Sequence, residues 1–185
     1  MGLRGKLIQI FYKAATSSRW IRNLLTPVGV IFFFALIALF IFISFQVDKF
    51  IGFPKLLSPS LNLIISVPIL TIGLFLYLWS VLHFIKVKGT PVPFNPPPKL
   101  VTTGPYACVR NPMLTGVFIL FFGFGILLRS VSLVFIFTPL FVLLNVLELK
   151  AIEEPELEKR LGKEYVEYKK KVPMFIPWLK VRTKK

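Results

Sequence analysis

The chain has 185 residues, 55% of them hydrophobic, and a formal net charge of +15, with a mean hydropathy of +0.74. That balance excludes a soluble globule and describes one membrane-embedded domain over residues 1–185. The single cysteine, Cys108, excludes an internal disulfide and a cysteine-cluster metal site, so no metal is expected. The positive charges flank apolar stretches and form no soluble basic face, so no nucleic acid is expected as a partner.

Residues 1–26 carry Arg4, Lys6, Lys13, Arg19 and Arg22 and no acid. Such an arm can mimic an organelle transit peptide. However, no short apolar core followed by a small-residue cleavage site is present, and a long apolar stretch lies behind it, which favours a cytoplasmic anchor. Residues 27–46 are uncharged and match the roughly 20 residues that cross a bilayer. Residues 61–85 predict a second span, interrupted by Pro68 and Gly73, as membrane helices tolerate. Its end, with Tyr77, Trp79 and the lone His83, reads as an interfacial aromatic belt.

Five prolines in residues 89–98 exclude helix. Because this stretch runs into the Gly104-Pro105 turn, residues 86–112 read as one ordered cytoplasmic loop. Asn111-Pro112 reads as a helix start, with asparagine at the N-cap and proline in the first turn. The unpaired amides of that helix, with Arg110 beside them, suit a carboxylate or phosphate. The same residues also describe a capped membrane helix with a snorkelling arginine. Residues 113–149 predict a helical hairpin of two short apolar segments, 113–128 and 131–147, with Arg129 at the tip. Gly116, Gly123 and Gly125 would permit close helix approach.

Asn145 and Glu148 share a helical face, and Glu148 wants a partner, either Arg110 or a ligand. All seven glutamates lie from Glu148 onward. Leu157, Leu161, Tyr165, Tyr168 and Val172 form an amphipathic stripe, bent at Gly162, so residues 150–185 predict a helical tail that lies on the membrane or caps the bundle. Pro177-Trp178 would add an interfacial anchor. The fold class is therefore all-α and integral to the membrane. About four transmembrane segments are expected, the last two a hairpin, followed by the amphipathic tail. The arm, the 86–112 loop and the tail hold 20 of the 23 basic residues. The positive-inside rule then places both termini on the cytoplasmic side, in the cell membrane if the source is prokaryotic.

Two stretches on that face resemble the membrane methyltransferase family of isoprenylcysteine carboxyl methyltransferases and phospholipid N-methyltransferases. Gly104-Pro105-Tyr106, Arg110-x-Pro112 and Gly116 look like its G-P-Y-x-x-x-R-H-P-x-Y-x-G loop. Glu153-Glu154-Pro155, then Leu157, Gly162, Tyr165, Tyr168, Val172 and Pro177, look like its C-terminal pattern. Asn111 replaces the histidine of the carboxyl methyltransferases, and Leu114 stands where a tyrosine is common. The resemblance covers roughly residues 77–178. It implies S-adenosylmethionine as cofactor, held by the half of the chain from 86 to 178, and a lipid-like small-molecule substrate drawn from the bilayer.

The site residues so implied are Gly104, Tyr106, Arg110, Asn111, Pro112, Met113, Gly116, Glu153 and Glu154, with Arg110 and Glu153 catalytic. Arg110 and the amides after Asn111 suit the cofactor carboxylate. Glu153 or Glu154 suits the ribose hydroxyls or the ammonium, and Tyr106 can pack on the ring or sulfonium. A plainer reading of Glu153-Glu154 is a helix start with Pro155 at its first position and Lys150 pairing three residues away. The function the resemblance implies is an S-adenosylmethionine-dependent methyltransferase acting on a lipid-like or prenylated substrate, similar to the isoprenylcysteine carboxyl methyltransferases. The competing readings are a phospholipid N-methyltransferase, a nicotinamide-dependent membrane reductase of related architecture and a non-catalytic lipid-binding membrane protein.

Overall fold

A computed structural model describes residues 2–87, 95 and 99–177, so most of the 89–98 proline stretch and Trp178 lie outside the described residues. Among the described residues the regular secondary structure is helical, joined by turns and irregular loops. The helices are α1 (Leu3–Ala15), α2 (Arg19–Ile51), α3 (Pro59–Lys86), α4 (Pro112–Leu127), α5 (Thr138–Glu148), α6 (Glu154–Leu161) and α7 (Lys163–Lys171). Two π-helical segments, Leu133–Phe137 and Leu149–Glu153, join α5 and α6 into one rod, Leu133–Leu161. That rod, α2 and α3 are each long and apolar enough to cross a membrane. At 16 residues, α4 rises only about 24 Å, as its short apolar stretch predicts.

Both π-helical segments end two residues before a proline, ahead of Thr138-Pro139 and Glu154-Pro155. Proline brings no N–H and its ring crowds the carbonyl four residues back, so a regular α-helix cannot run through it unchanged. The rod widens instead: the amides of Thr138 and Glu154 donate to Leu133 O and Leu149 O, each five residues earlier. Such a bulge turns every later side chain relative to the earlier ones.

The two hairpins meet at one end of the bundle through polar contacts. Asp48 accepts from the Ser130 hydroxyl and, at 2.8 Å, from Ser132 N, a carboxylate at the positive end of the rod. Asn62 Nδ2 donates to Leu127 O at 2.9 Å, satisfying a terminal carbonyl of α4. Arg129, at the tip of the hairpin, takes a positive φ of 57° and donates from Nε to Leu57 O at 2.7 Å. The predicted 113–149 hairpin thus reaches the level of the α2–α3 loop.

Phe40, Val117, Phe121, Leu133 and Phe141 form the apolar centre, contributed by α2, α4 and the rod. Glycines set the α3–α4 crossing. A Cβ on Gly116 would lie 2.8 Å from Tyr77 N and 2.9 Å from Gly73 O, and one on Gly73 would lie 2.9 Å from Leu120 N. Backbone meets backbone there, and nothing flexible can yield.

The N-terminal arm is more ordered than its charge suggests. Residues 3–15 form α1, which packs on the Leu149–Glu153 segment and α6. Arg4 Nε donates to Ala151 O at 3.0 Å, and Lys159 Nζ sits 4.2 Å from the centre of the Tyr12 ring. The reason lies in the turn before Pro155, where the rod lacks an amide and a donor from elsewhere is welcome.

Gly116→Ala is expected to cost about 1–3 kcal/mol by forcing α3 and α4 apart. It should lower the melting temperature in detergent; an unchanged value would mean the crossing is loose.

Candidate functional site

At the other end of the bundle from Asp48, the loop before α4 is clamped to the tail. Gly104 begins a 3-10 turn, Gly104–Ala107, at φ +60°, a conformation glycine reaches without strain. The His83 ring lies so close to Gly104 that a Cβ there would collide with it. His83 Nδ1 is itself 2.9 Å from Trp79 O, so it donates to its own helix. The only histidine is thus the wedge that seats the turn.

Pro105 and Tyr106 are buried, and the Tyr106 ring packs on Phe84 with centroids 5.0 Å apart. Tyr168 Oη of α7 donates to Tyr106 O at 2.6 Å. Two backbone hydrogen bonds continue the clamp, from Arg110 N to Pro173 O at 2.8 Å and from Asn111 N to Met174 O at 3.1 Å.

Arg110 is the centre of the site. Its side chain is only 9% exposed; Nη2 lies 2.7 Å from Glu154 Oε1, whose side chain is 5% exposed, and Nη1 donates to Lys169 O at 3.2 Å. Lys169 Nζ reaches Glu154 Oε2 at 2.6 Å and Glu158 Oε1 at 3.0 Å. Apart from that ion pair Glu154 Oε1 has no hydrogen-bond partner, and Arg110 Nε is buried with none. Both residues line a cleft of ≈ 630 Å³ together with Lys150, Lys169, Val146 and residues 173–176. Unused donor and acceptor capacity of this kind at a cleft wall calls for a ligand or water.

The structure thus unites Arg110 and Glu154 at the cleft and places Gly104, Tyr106 and Asn111 in the loop that supports it, with Pro112 and Met113 opening α4 directly behind. Glu153 precedes Glu154 on the π-helical turn and does not line the cleft; its carboxyl group lies near Tyr106 and Tyr165. The Tyr106 ring packs on Phe84 and is not among the cleft-lining groups. Gly116 sits in the α3–α4 crossing. Glu148, three residues from Asn145 in sequence, is not the partner of Arg110, and Asn145 Nδ2 donates within its own helix to Phe141 O at 2.8 Å.

Asn111 occupies the N-cap position of α4, yet its side chain makes no capping bond. With its N–H tied to Met174 O it adopts ψ 59°, outside the extended region from which a cap side chain reaches the helix amides. Its carbonyl accepts instead from Thr115 N at 3.0 Å and Thr115 Oγ1 at 2.9 Å.

Lys169 escaped the sequence reading because the break at Gly162, with φ +61°, hides its return to Glu154 from any helical spacing rule. Tyr165 and Tyr168 are buried packing residues, as their stripe predicts. Among the described residues no three His, Cys, Asp or Glu stand together as a metal-binding group.

The fold and site define a helical membrane protein whose loop and tail enclose a charged cleft. The phospholipid methyltransferase family model matches residues 61–164, more than half of the chain, and the protein belongs to that family of membrane methyltransferases. The chain is also 30% identical over 122 residues to the nickel-cobalt-cadmium resistance protein NccN of Alcaligenes xylosoxydans xylosoxydans, covering 62% of this chain. It spans 53% of that protein's length. No solved structure gives a significant match.

Burial holds the hydroxyls of Tyr106, Tyr165 and Tyr168 above the ordinary tyrosine value, and hydrogen bonding to Glu154 raises Lys169 above 10.5. In each case the folded state keeps its proton more tightly than the unfolded chain does. The clamp is therefore at full strength below pH ~10 and weakens as pH rises through the folded values. Limited proteolysis across pH 7–11 is expected to release the tail only at the alkaline end. Tyr168→Phe should cost about 1–3 kcal/mol by leaving the Tyr106 carbonyl buried and unpaired, and should bring that release to lower pH.

Proposed function

We propose that this protein is an S-adenosylmethionine-dependent membrane methyltransferase acting on a lipid-like acceptor, with the cleft at the cytoplasmic face of the membrane. The observation that carries the reading is the Arg110–Glu154 pair, which joins the loop motif to the tail motif and leaves one buried donor and one buried acceptor at the cleft wall. These two atoms fit the zwitterionic end of S-adenosylmethionine: Arg110 Nε is suited to a carboxylate, and Glu154 Oε1 to an ammonium or a ribose hydroxyl. The apolar walls, Val146 and residues 173–176, suit the remainder and an acceptor's hydrocarbon chain.

When bound, the cofactor supplies an electrophilic methyl group on a sulfonium. What such a transfer asks of the protein is alignment of acceptor and methyl and exclusion of water. Lys169 holds Glu154 in place, and the Pro173 and Met174 carbonyls fix the backbone of Arg110 and Asn111. In this arrangement Arg110 both orients Glu154 and faces the ligand. Both an isoprenylcysteine carboxylate and a phospholipid amine are acceptors of the required lipid-like kind, and the family match supports the latter as readily as the former.

Calorimetry on detergent-purified protein is expected to show saturable binding of S-adenosylhomocysteine and none of NADPH. Arg110→Lys should lose at least tenfold in affinity, about 1.4 kcal/mol, because a point charge cannot replace a planar fork held by two partners. Binding of NADPH in place of S-adenosylhomocysteine, or wild-type affinity in Arg110→Lys, would sink the reading. Incubation with labelled S-adenosylmethionine and a total lipid extract should then yield a labelled lipid that identifies the acceptor.

A further inference from the structure

The N-terminal helix has two faces, and packing explains only one of them. Leu7, Ile8, Phe11 and Tyr12 are partly covered and Ala15 is buried. The opposite face carries Lys6, Ile10 and Lys13 at spacings of four and three, one continuous stripe on a helix, with both lysines exposed. Ile10 is 57% exposed between them. The chain then turns directly into Arg19, exposed, and Trp20, 73% exposed, at the start of α2. One turn on, Arg22 Nε is buried without a hydrogen-bond partner. Among the described residues, no acid forms an ion pair with any of these four cations.

Cations interleaved with exposed isoleucine and tryptophan are poorly served by water alone. They fit an interface where phosphate oxygens meet the cations and the first carbons of the acyl chains meet the apolar side chains. The position agrees with this. Arg19 to Thr26 is eight residues, about 12 Å of helix, and leads straight into the apolar part of α2.

We infer that α1 and the first turns of α2 form a binding surface for anionic phospholipid headgroups of the surrounding bilayer. Because Arg4 and Tyr12 join α1 to Ala151 and Lys159, a headgroup held there also steadies the tail. The inference stands independently of the methyltransferase reading, since it concerns lipid bound without cofactor.

The test is thermal unfolding of the full chain in non-ionic detergent with added short-chain phosphatidylglycerol, phosphatidylcholine or inorganic phosphate at matched ionic strength. Phosphatidylglycerol alone is expected to raise the melting temperature by several degrees. The triple variant Lys6→Gln, Lys13→Gln, Arg19→Gln should lose at least half of that shift while melting as wild type without lipid. If the variant itself melts low, the wild-type shift decides: headgroup binding to exposed cations should fade by about 0.5 M salt. An equal shift with phosphatidylcholine or with inorganic phosphate, a wild-type shift in the variant, or a salt-independent shift would overturn the inference.

Discussion

A buried arginine facing a buried glutamate is the contact on which the membrane-surface half of the molecule depends. Taking both charges out of water is costly, and their attraction repays it only where further hydrogen bonds hold the geometry. Here the supports come from separate parts of the chain: the Lys169 carbonyl on Nη1, the Lys169 ammonium on Glu154, and the Pro173 and Met174 carbonyls on the amides beside Arg110. Removing either charge would strand the other. The pair therefore acts as a registration point: loop, rod and tail are assembled correctly together or the charges are not matched.

Its position is dictated by proline. Glu154 can meet Arg110 because the π-helical turn before Pro155 rotates the end of the rod relative to the membrane-embedded part. The same missing amide leaves room for Arg4 at Ala151. One residue type thus both aims a side chain at the cleft and recruits the first helix of the chain.

Much of this was legible beforehand. Long apolar runs showed the spans and Gly162 showed the bend in the tail; the charge-poor hairpin showed its short first arm, but the second, expected to be as short, continues as the rod Leu133–Leu161. Arg110 and the glutamate pair stood out because charged residues beside apolar helices require a reason. The choice between Glu153 and Glu154 was not legible, because a π-helical turn shifts the phase on which helical spacing relies. Nor was Lys169, whose approach to Glu154 depends on a reversal at Gly162, or Asp48, whose role depends on two hairpins meeting across more than 80 residues. The Asn111 side chain failed to cap for a similar reason: tertiary hydrogen bonds to the tail set its ψ, and local preference gave way.

The clamp also has a meaning in time. The cleft is closed by residues 169–176 and the rod is braced by Arg4, so during synthesis α1 must wait for the end of the rod, and the loop before α4 must wait for α7, before either finds its partner. The apolar helices between them can enter the membrane and pack as they emerge, since their contacts are with one another. Insertion and completion of the cleft are thereby separate events. A chain interrupted before its tail would sit in the bilayer with its charged loop open, and only a finished one would carry a formed pocket.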